Sequence, residues 1–295
     1  MQYVKLNNGV EMPMLGYGVY QITKEECERC VLDALKAGYR LIDTAQSYFN
    51  EEEVGSAIKK SSIPREEIFL TTKVWIEHYG YEEAKKSIIA SMEKLQVDYI
   101  DLVLMHQPFS DYYGTWRAME EFYKEGKIRA IGISNFYPDR MVDIASFAQI
   151  KPMVNQIEIH PHYQQTEAIK WNRKYGLQVE AWAPFGEGRG GLFDDETLKS
   201  IGNKYYKTPA QVILKWHLQR GIVVIPKSTH YERMVENFNV FDFTLTEEDI
   251  NLITTLDKNK SSFFSHNDPA MVEWFVKIVE ERKNQHDSSK ENKNW

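Results

Sequence analysis

The stretch "LIDTAQSYFNEEEVG", residues 41 to 55, places an acid, Asp43, five residues ahead of a tyrosine, Tyr48, where an apolar run gives way to a charged helix. Two later apolar runs also end on ionisable side chains, "FLTTK" on Lys73 and "DLVLMH" on His106. A phenol titrates near pH 10 in water, too weak an acid to protonate a carbonyl oxygen at neutral pH unless a nearby cation favours its ionised form. Lys73 would be that cation. An ammonium in a closed pocket needs a counter-ion, which Asp43 would supply while aiming Lys73 at the Tyr48 oxygen. His106 can donate a hydrogen bond to the same substrate oxygen and fix its direction. The set contains no nucleophile and no metal cage, so it suits hydride transfer to a carbonyl from a bound cofactor.

Taken singly, each residue has an ordinary structural role: an Asp at a strand end caps turns, a Lys there snorkels, and a lone His is more often structural than catalytic. What matters is whether they arrive together. Strands are expected at Gly16–Val19, Arg40–Asp43, Phe69–Lys73, Asp101–His106, Ala130–Ser134, Val154–Ile157, Gln178–Trp182 and Ile222–Ile225. Most are short and β-branched-rich without strict alternation, as strands buried on both faces should be. Helical patterns such as "EECERCVLDALKAG", "YEEAKKSIIASMEKLQ", "TWRAMEEFYKEGK" and "TPAQVILKWHLQRG" lie between them, the first and last closed by glycine. Alternating strands and helices call for a parallel sheet, and eight such units can close into a (β/α)8 TIM barrel. In such barrels the chemistry sits at the C-terminal ends of the strands, where Asp43, Tyr48, Lys73 and His106 all fall.

Ahead of the barrel, "YVKLNNGVEMPML" reads as a β-hairpin around Asn8-Gly9 that could floor its N-terminal end. After it, "TEEDINLITTLD" and "DPAMVEWFVKIVEER" read as extra C-terminal helices, expected to pack outside. One domain is expected over residues 1–282, followed by a disordered polar tail over 283–295. The 295 residues carry a formal net charge of -7 and their Lys and Arg are scattered, so nucleic acid is not an expected partner. With no signal-like start and no run near the roughly 20 apolar residues of a membrane span, a soluble cytoplasmic protein is expected. Cys27 and Cys30 form a CxxC, but Cys27 shares a helix face with Val31, Ala34 and Leu35, which points to thiols packed as small apolar groups.

At this point the sequence resembles the aldo-keto reductases, of the bacterial type that reduces aldehydes and diketones, from about Pro13 to Asn237. "DTAQSYFNEEEVG", "TTKVW" and "LVLMHQP" look like the family's tyrosine, lysine and histidine segments, and "IGISNF", "VNQIEIHPHYQQ" and "IPKSTHYERMVENF" resemble its cofactor-binding stretches. The resemblance implies Tyr48 as general acid, with Asp43, Lys73 and His106 completing a tetrad. It implies NADPH, with Ser134, Asn135 and Gln156 on the nicotinamide carboxamide. Trp182 would stack beneath the nicotinamide ring, where the family commonly has tyrosine. Lys227, Ser228 and Arg233 would clamp the adenosine 2′-phosphate, and Glu236 and Asn237 would touch adenine. Gln107 departs from the aromatic residue that often follows the tetrad histidine. Tyr20 and Trp75 remain as aromatic walls, with Phe263 and Phe264 in a C-terminal substrate loop. Small polar α-oxo aldehydes, dicarbonyls or keto sugars are expected over steroids, and a monomer is the family's suggestion.

Three competing readings are weaker. A short-chain dehydrogenase also uses a Tyr–Lys pair, but Tyr20/Lys24, Tyr81/Lys85 and Tyr123/Lys127 lie in or beside charged helices, and no glycine-rich phosphate turn opens the chain. A metal-dependent barrel hydrolase could use Glu158, His160 and His162 of "EIHPH". A nicotinamide-binding subunit that senses redox state without turnover would have no need of an intact tetrad.

Overall fold

In the computed structural model of the chain, residues 1–291 are described, with side chains through residue 282. The chain opens on β1 (Tyr3–Lys5) and β2 (Glu11–Pro13), an antiparallel pair turned at Asn8-Gly9, where Gly9 takes a φ of 91° that glycine alone adopts readily. Asn8 Nδ2 donates to Arg129 O at 2.9 Å and Asn7 Nδ2 to Pro152 O at 3.0 Å, just where two barrel strands begin. The hairpin is thereby fixed to the N-terminal rim, as expected.

Eight parallel strands follow: β3 (Tyr17–Gly18), β4 (Leu41–Asp43), β5 (Phe69–Val74), β6 (Ile100–Met105), β7 (Ile128–Ser134), β8 (Val154–Glu158), β9 (Gln178–Trp182) and β10 (Val223–Val224). They pair in sequence order. Val224 N donates to Met14 O at 3.0 Å and Gly16 N to Val224 O at 2.9 Å, which joins the last strand to the first and closes the TIM barrel. The first and last strands are shorter than the sequence suggests, because this seam is carried by bonds just before β3. Strands β4, β5 and β6 are buried at every position, the physical reason they lack alternation.

The crossovers are α1 (Lys24–Ala37), α2 (Glu51–Lys60), α3 (Tyr81–Leu95), α4 (Tyr112–Lys124), α5 (Pro138–Phe147), α6 (Thr166–Lys174), then α7 (Glu196–Tyr205) with α8 (Pro209–Gln219). Helix α4 starts at Tyr112, three residues ahead of the pattern, because the Asp111 carboxylate caps Gly114 N at 2.7 Å. Cys27 and Cys30 are fully buried on α1 as free thiols. After β10 come α9 (Tyr231–Phe238) and α10 (Glu247–Thr254), the latter opened by a capping box between Thr246 and Asp249.

Two compact units emerge, Met1–Ser262 and a second from Phe263 that contains α11 (Pro269–Glu291). The side chains of the expected polar tail, 283–295, lie outside the described residues. No helix among the described residues is long and apolar enough to cross a membrane.

Close packing of the barrel wall explains the glycine of "IGIS". A Cβ on Gly132 of β7 would stand 2.6 Å from Leu104 Cδ2 and 2.7 Å from Val154 O, on the strands to either side. Gly132→Ala is therefore expected to destabilise the fold by about 1–3 kcal/mol through overpacking, read from the shift in urea midpoint; an unchanged midpoint would show that the wall can give way.

Candidate active site

The turn after β4 is built by short polar side chains. Asn50 Oδ1 accepts from Thr44 Oγ1 at 2.8 Å, and its Nδ2 donates to Val19 O at 3.1 Å. Gln46 donates to Ser91 Oγ at 3.0 Å and accepts from Trp75 N at 2.8 Å, tying the turn to α3 and to the end of β5. The 3-10 turn Gln46–Tyr48 that results ends at Phe49 with a φ of 59°, an uncommon left-handed conformation for an aromatic residue. This geometry directs Tyr48 back over the barrel end.

There the four expected groups meet. Lys73 Nζ, fully buried, donates to Asp43 Oδ1 at 2.5 Å, to Thr44 O at 3.0 Å and to Tyr48 Oη at 3.2 Å. An ammonium has three hydrogens and no lone pair, so the Tyr48 oxygen must accept from Lys73 and its own hydrogen points elsewhere. The His106 ring stands edge-on to Tyr48 with centroids 5.7 Å apart, and its Nδ1 lies 3.4 Å from Ser47 Oγ.

Burial pushes the Tyr48 phenol up, the Lys73 ammonium pulls it down, and Asp43 pushes it up again, leaving it at about 12. The sequence suggested that the cation would dominate. It does not, because the same ammonium is shared with Asp43 at shorter range, and the desolvation of a buried phenolate is the larger effect. Burial works to lower the Lys73 ammonium, but Asp43 and Tyr48 outweigh it and hold Lys73 above its ordinary value.

Around this centre, Tyr20 packs on Tyr48 at 4.9 Å and is half exposed, while Trp75 packs edge-on to His106 at 5.1 Å and is buried. Both expected aromatic walls therefore touch the tetrad. Gln107 is bracketed by the Tyr79 hydroxyl, which donates to its carbonyl at 2.8 Å and accepts from its N–H at 3.0 Å. Phe263 and Phe264 belong to the second unit, where Phe264 packs against Phe275 at 5.8 Å.

Of the residues expected to hold a cofactor, Asn135 Oδ1 accepts from Trp182 Nε1 at 2.9 Å and its Nδ2 donates to Ser134 Oγ at 3.2 Å, so these three form one unit at the ends of β7 and β9. The Trp182 ring is thereby held in a fixed plane, half-buried. Gln156 differs from expectation: its Nε2 is spent on Asp43 Oδ2 at 2.9 Å and Glu180 Oε2 at 3.0 Å, which leaves only its Oε1 for a nicotinamide amide. Lys227 and Arg233 are exposed, and neither forms a salt bridge within 4.0 Å among the described residues. Ser228 is buried, with its Oγ accepting from His230 N at 3.1 Å in the turn before α9. Glu236 accepts from Thr208 Oγ1 at 2.8 Å, and Asn237 is buried on α9. The glycine-rich stretch after β9 is anchored by Leu192, 1% exposed, and by Arg189 donating to Ser262 O at 3.1 Å.

The sequence profile of the Aldo/keto reductase family matches residues 12–258. The chain belongs to the aldo/keto reductase family. It is 49% identical over 259 residues to the glyoxal reductase of Bacillus subtilis, covering 87% of this chain and 93% of that protein. It is 43% identical over 260 residues to the methylglyoxal reductase DkgA of Escherichia coli, covering 87% and 94%. The aldo-keto reductase of Bombyx mori, solved in complex with NADP, superposes with a TM-score of 0.85 at 34% identity over 89% of this chain and 95% of that one.

In this aldo/keto reductase, four polar residues near the tetrad went unread in the sequence. Gln46 and Thr44 sit inside the quoted tyrosine segment, and the Tyr79 hydroxyl meets the backbone of Gln107, the residue after His106, yet the contacts of Gln46 and Tyr79 are with distant chain. Glu180 did carry a signal, an acid at the buried centre of the strand "QVEAW". In "EIHPH", His160 Nε2 lies 2.9 Å from Glu158 Oε1, Glu158 Oε2 accepts from Ser261 Oγ at 2.6 Å, and His162 Nδ1 lies 3.4 Å from Lys258 Nζ.

Proposed function

We propose that this aldo/keto reductase reduces small α-oxo aldehydes, dicarbonyls or keto sugars to alcohols with NADPH, Tyr48 serving as general acid. The observation that carries the reading is the 3.2 Å bond from Lys73 Nζ to Tyr48 Oη, because it spends the last Lys73 hydrogen and leaves the phenol hydrogen available to a substrate oxygen. A phenol held at about 12 keeps that hydrogen throughout the neutral range, which a general acid requires. Its strength is called on only as the carbonyl oxygen gains charge. Lys73 then stabilises the forming phenolate at hydrogen-bond distance, and Asp43 keeps Lys73 in place. His106, edge-on to Tyr48, would hold the substrate oxygen in line.

The residues fit a nicotinamide dinucleotide phosphate. Trp182, locked by Asn135, offers a flat apolar face beside amide and hydroxyl groups that suit a carboxamide. Lys227 and Arg233, two exposed cations flanking Ser228, suit a 2′-phosphate. What a bound NADPH supplies is hydride delivery to the carbonyl carbon. The relatives named for glyoxal and methylglyoxal, and the neighbour solved with NADP, support the substrate class and the cofactor. Tyr20 and Trp75 pack on the tetrad, and Gln107 follows His106 where the family often has an aromatic residue, a more polar setting that suits small oxygen-rich substrates. The reading includes a monomer acting in the cytoplasm.

The test is a comparison of kcat/KM for methylglyoxal, diacetyl, a simple aldehyde, a keto sugar and a steroid ketone, each with NADPH and NADH. The α-oxo aldehyde with NADPH is expected to lead. A steroid preference would overturn the substrate class, and parity of the two cofactors would overturn the assignment of Lys227, Ser228 and Arg233.

A further inference from the structure

A second carboxyl takes part in the charge balance of the tetrad. Glu180 of β9 is fully buried, and its register partner on β8 is Gln156. Strands β8 and β4 stand four apart in the ring of eight, so the Gln156 side chain reaches across the barrel interior to donate to Asp43 Oδ2 at 2.9 Å, while donating to Glu180 Oε2 at 3.0 Å. An amide NH2 has two hydrogens, and both are used. Glu180 Oε1 meets no hydrogen-bond partner among the described residues.

The groups facing Glu180 are few. From β4 comes Asp43, from β5 Lys73, and from β8 the neutral Gln156; on β10 its register partner is Val223. One buried ammonium thus stands against two buried carboxyls. If both carboxyls were ionised, the cluster would hold an uncompensated negative charge with one oxygen lacking any donor, the costliest arrangement open to it. A proton on Glu180 removes that charge and leaves Oε2 free to accept from Gln156.

We propose that Glu180 is a positioning residue for the proton transfer: it works in its neutral form, anchors Asp43 through Gln156, and keeps the charge beside Tyr48 balanced, so that losing its proton weakens the acid. Burial first, and then Asp43, raise the Glu180 carboxyl to about 8, against weaker pulls downward from Gln156 and Lys73, in keeping with this role. Above that pH the added negative charge binds the Lys73 proton more tightly and disfavours the Tyr48 phenolate, and Tyr48 becomes a poorer donor. The proposal rests on Tyr48 being the acid.

Glu180→Gln mimics the neutral carboxyl in shape and still accepts from Gln156. The kcat of the wild type for methylglyoxal is expected to fall roughly fivefold or more between about pH 7 and about pH 9, and that of E180Q less than about twofold. In the protein without cofactor, the titration of the Tyr48 ring, assigned against Tyr48→Phe by carbon NMR, is expected to move to lower pH in E180Q. A role in packing alone would not move it. Glu180→Thr, also neutral, supplies the same comparison should the glutamine variant fail to fold. An unmoved Tyr48 titration, with overlapping pH profiles, overturns the proposal while leaving the reductase reading intact if the wild type turns over. A wild type that reduces no carbonyl, with a Tyr48 titration that still responds to E180Q, fails the reductase reading alone.

Discussion

Replacing Tyr48 by phenylalanine is expected to lower kcat for carbonyl reduction by about 10²–10⁴-fold, the range a positioned general acid contributes, with NADPH binding retained. The substitution deletes one oxygen, the one that accepts from Lys73 at 3.2 Å, and leaves the packing of the ring on Tyr20 and His106 in place. Loss of turnover with cofactor binding intact, followed by NADPH fluorescence, also separates a reductase from a nicotinamide-binding subunit without activity. A Y48F protein of normal kcat would end the assignment of the acid.

Lys73→Met should have the second largest effect, on activity and stability together. Lys73 is fully buried and Asp43 is 2% exposed, so removing the ammonium strands a buried carboxylate whose Oδ1 loses its partner. Breaking a buried pair in this way costs about 3–5 kcal/mol. Activity should fall at least about 10²-fold, because the phenolate loses its electrostatic support. The pH dependence has a definite sign. The folded-state pKa of Lys73 lies above its ordinary value, so the stabilisation from its protonation is complete below the unfolded value of about 10.4 and is lost as pH rises through the folded one. Urea midpoints measured towards alkaline pH should thus decline in the wild type through this group, and K73M should lack that component. If K73M matches the wild type in midpoint at neutral pH, the pair contributes no net stability.

The barrel was legible because its strands are buried on both faces. A run such as "IDLVLM" is apolar and lacks alternation for the same reason that it ends as β6, enclosed at every position. The hairpin was legible in Asn8-Gly9, whose glycine does take a left-handed conformation. The tetrad was legible because the C-terminal end of a strand in a parallel barrel is a known position, so four chemically unlike residues could be placed together without knowing any distance. Burial at Tyr48 was less legible: the sequence offers the cation but not the amount of water removed, and removal of water outweighs the cation here.

Glu180 marks the boundary of such reading. Its partner Gln156 bonds Asp43 across 113 residues of chain, and no local pattern encodes a contact of that separation. The same holds for Trp182, whose plane is set by Asn135 from 47 residues away. The sequence alone determined the order of the strands, the end at which chemistry occurs and the residue types gathered there, since hydrophobic periodicity and turn residues act over a few positions. Only the tertiary structure decided which hydrogens of the cluster are already spent, which carboxyl shares the ammonium and how deeply each is buried, because those depend on ångström distances between strands that meet only when the barrel closes.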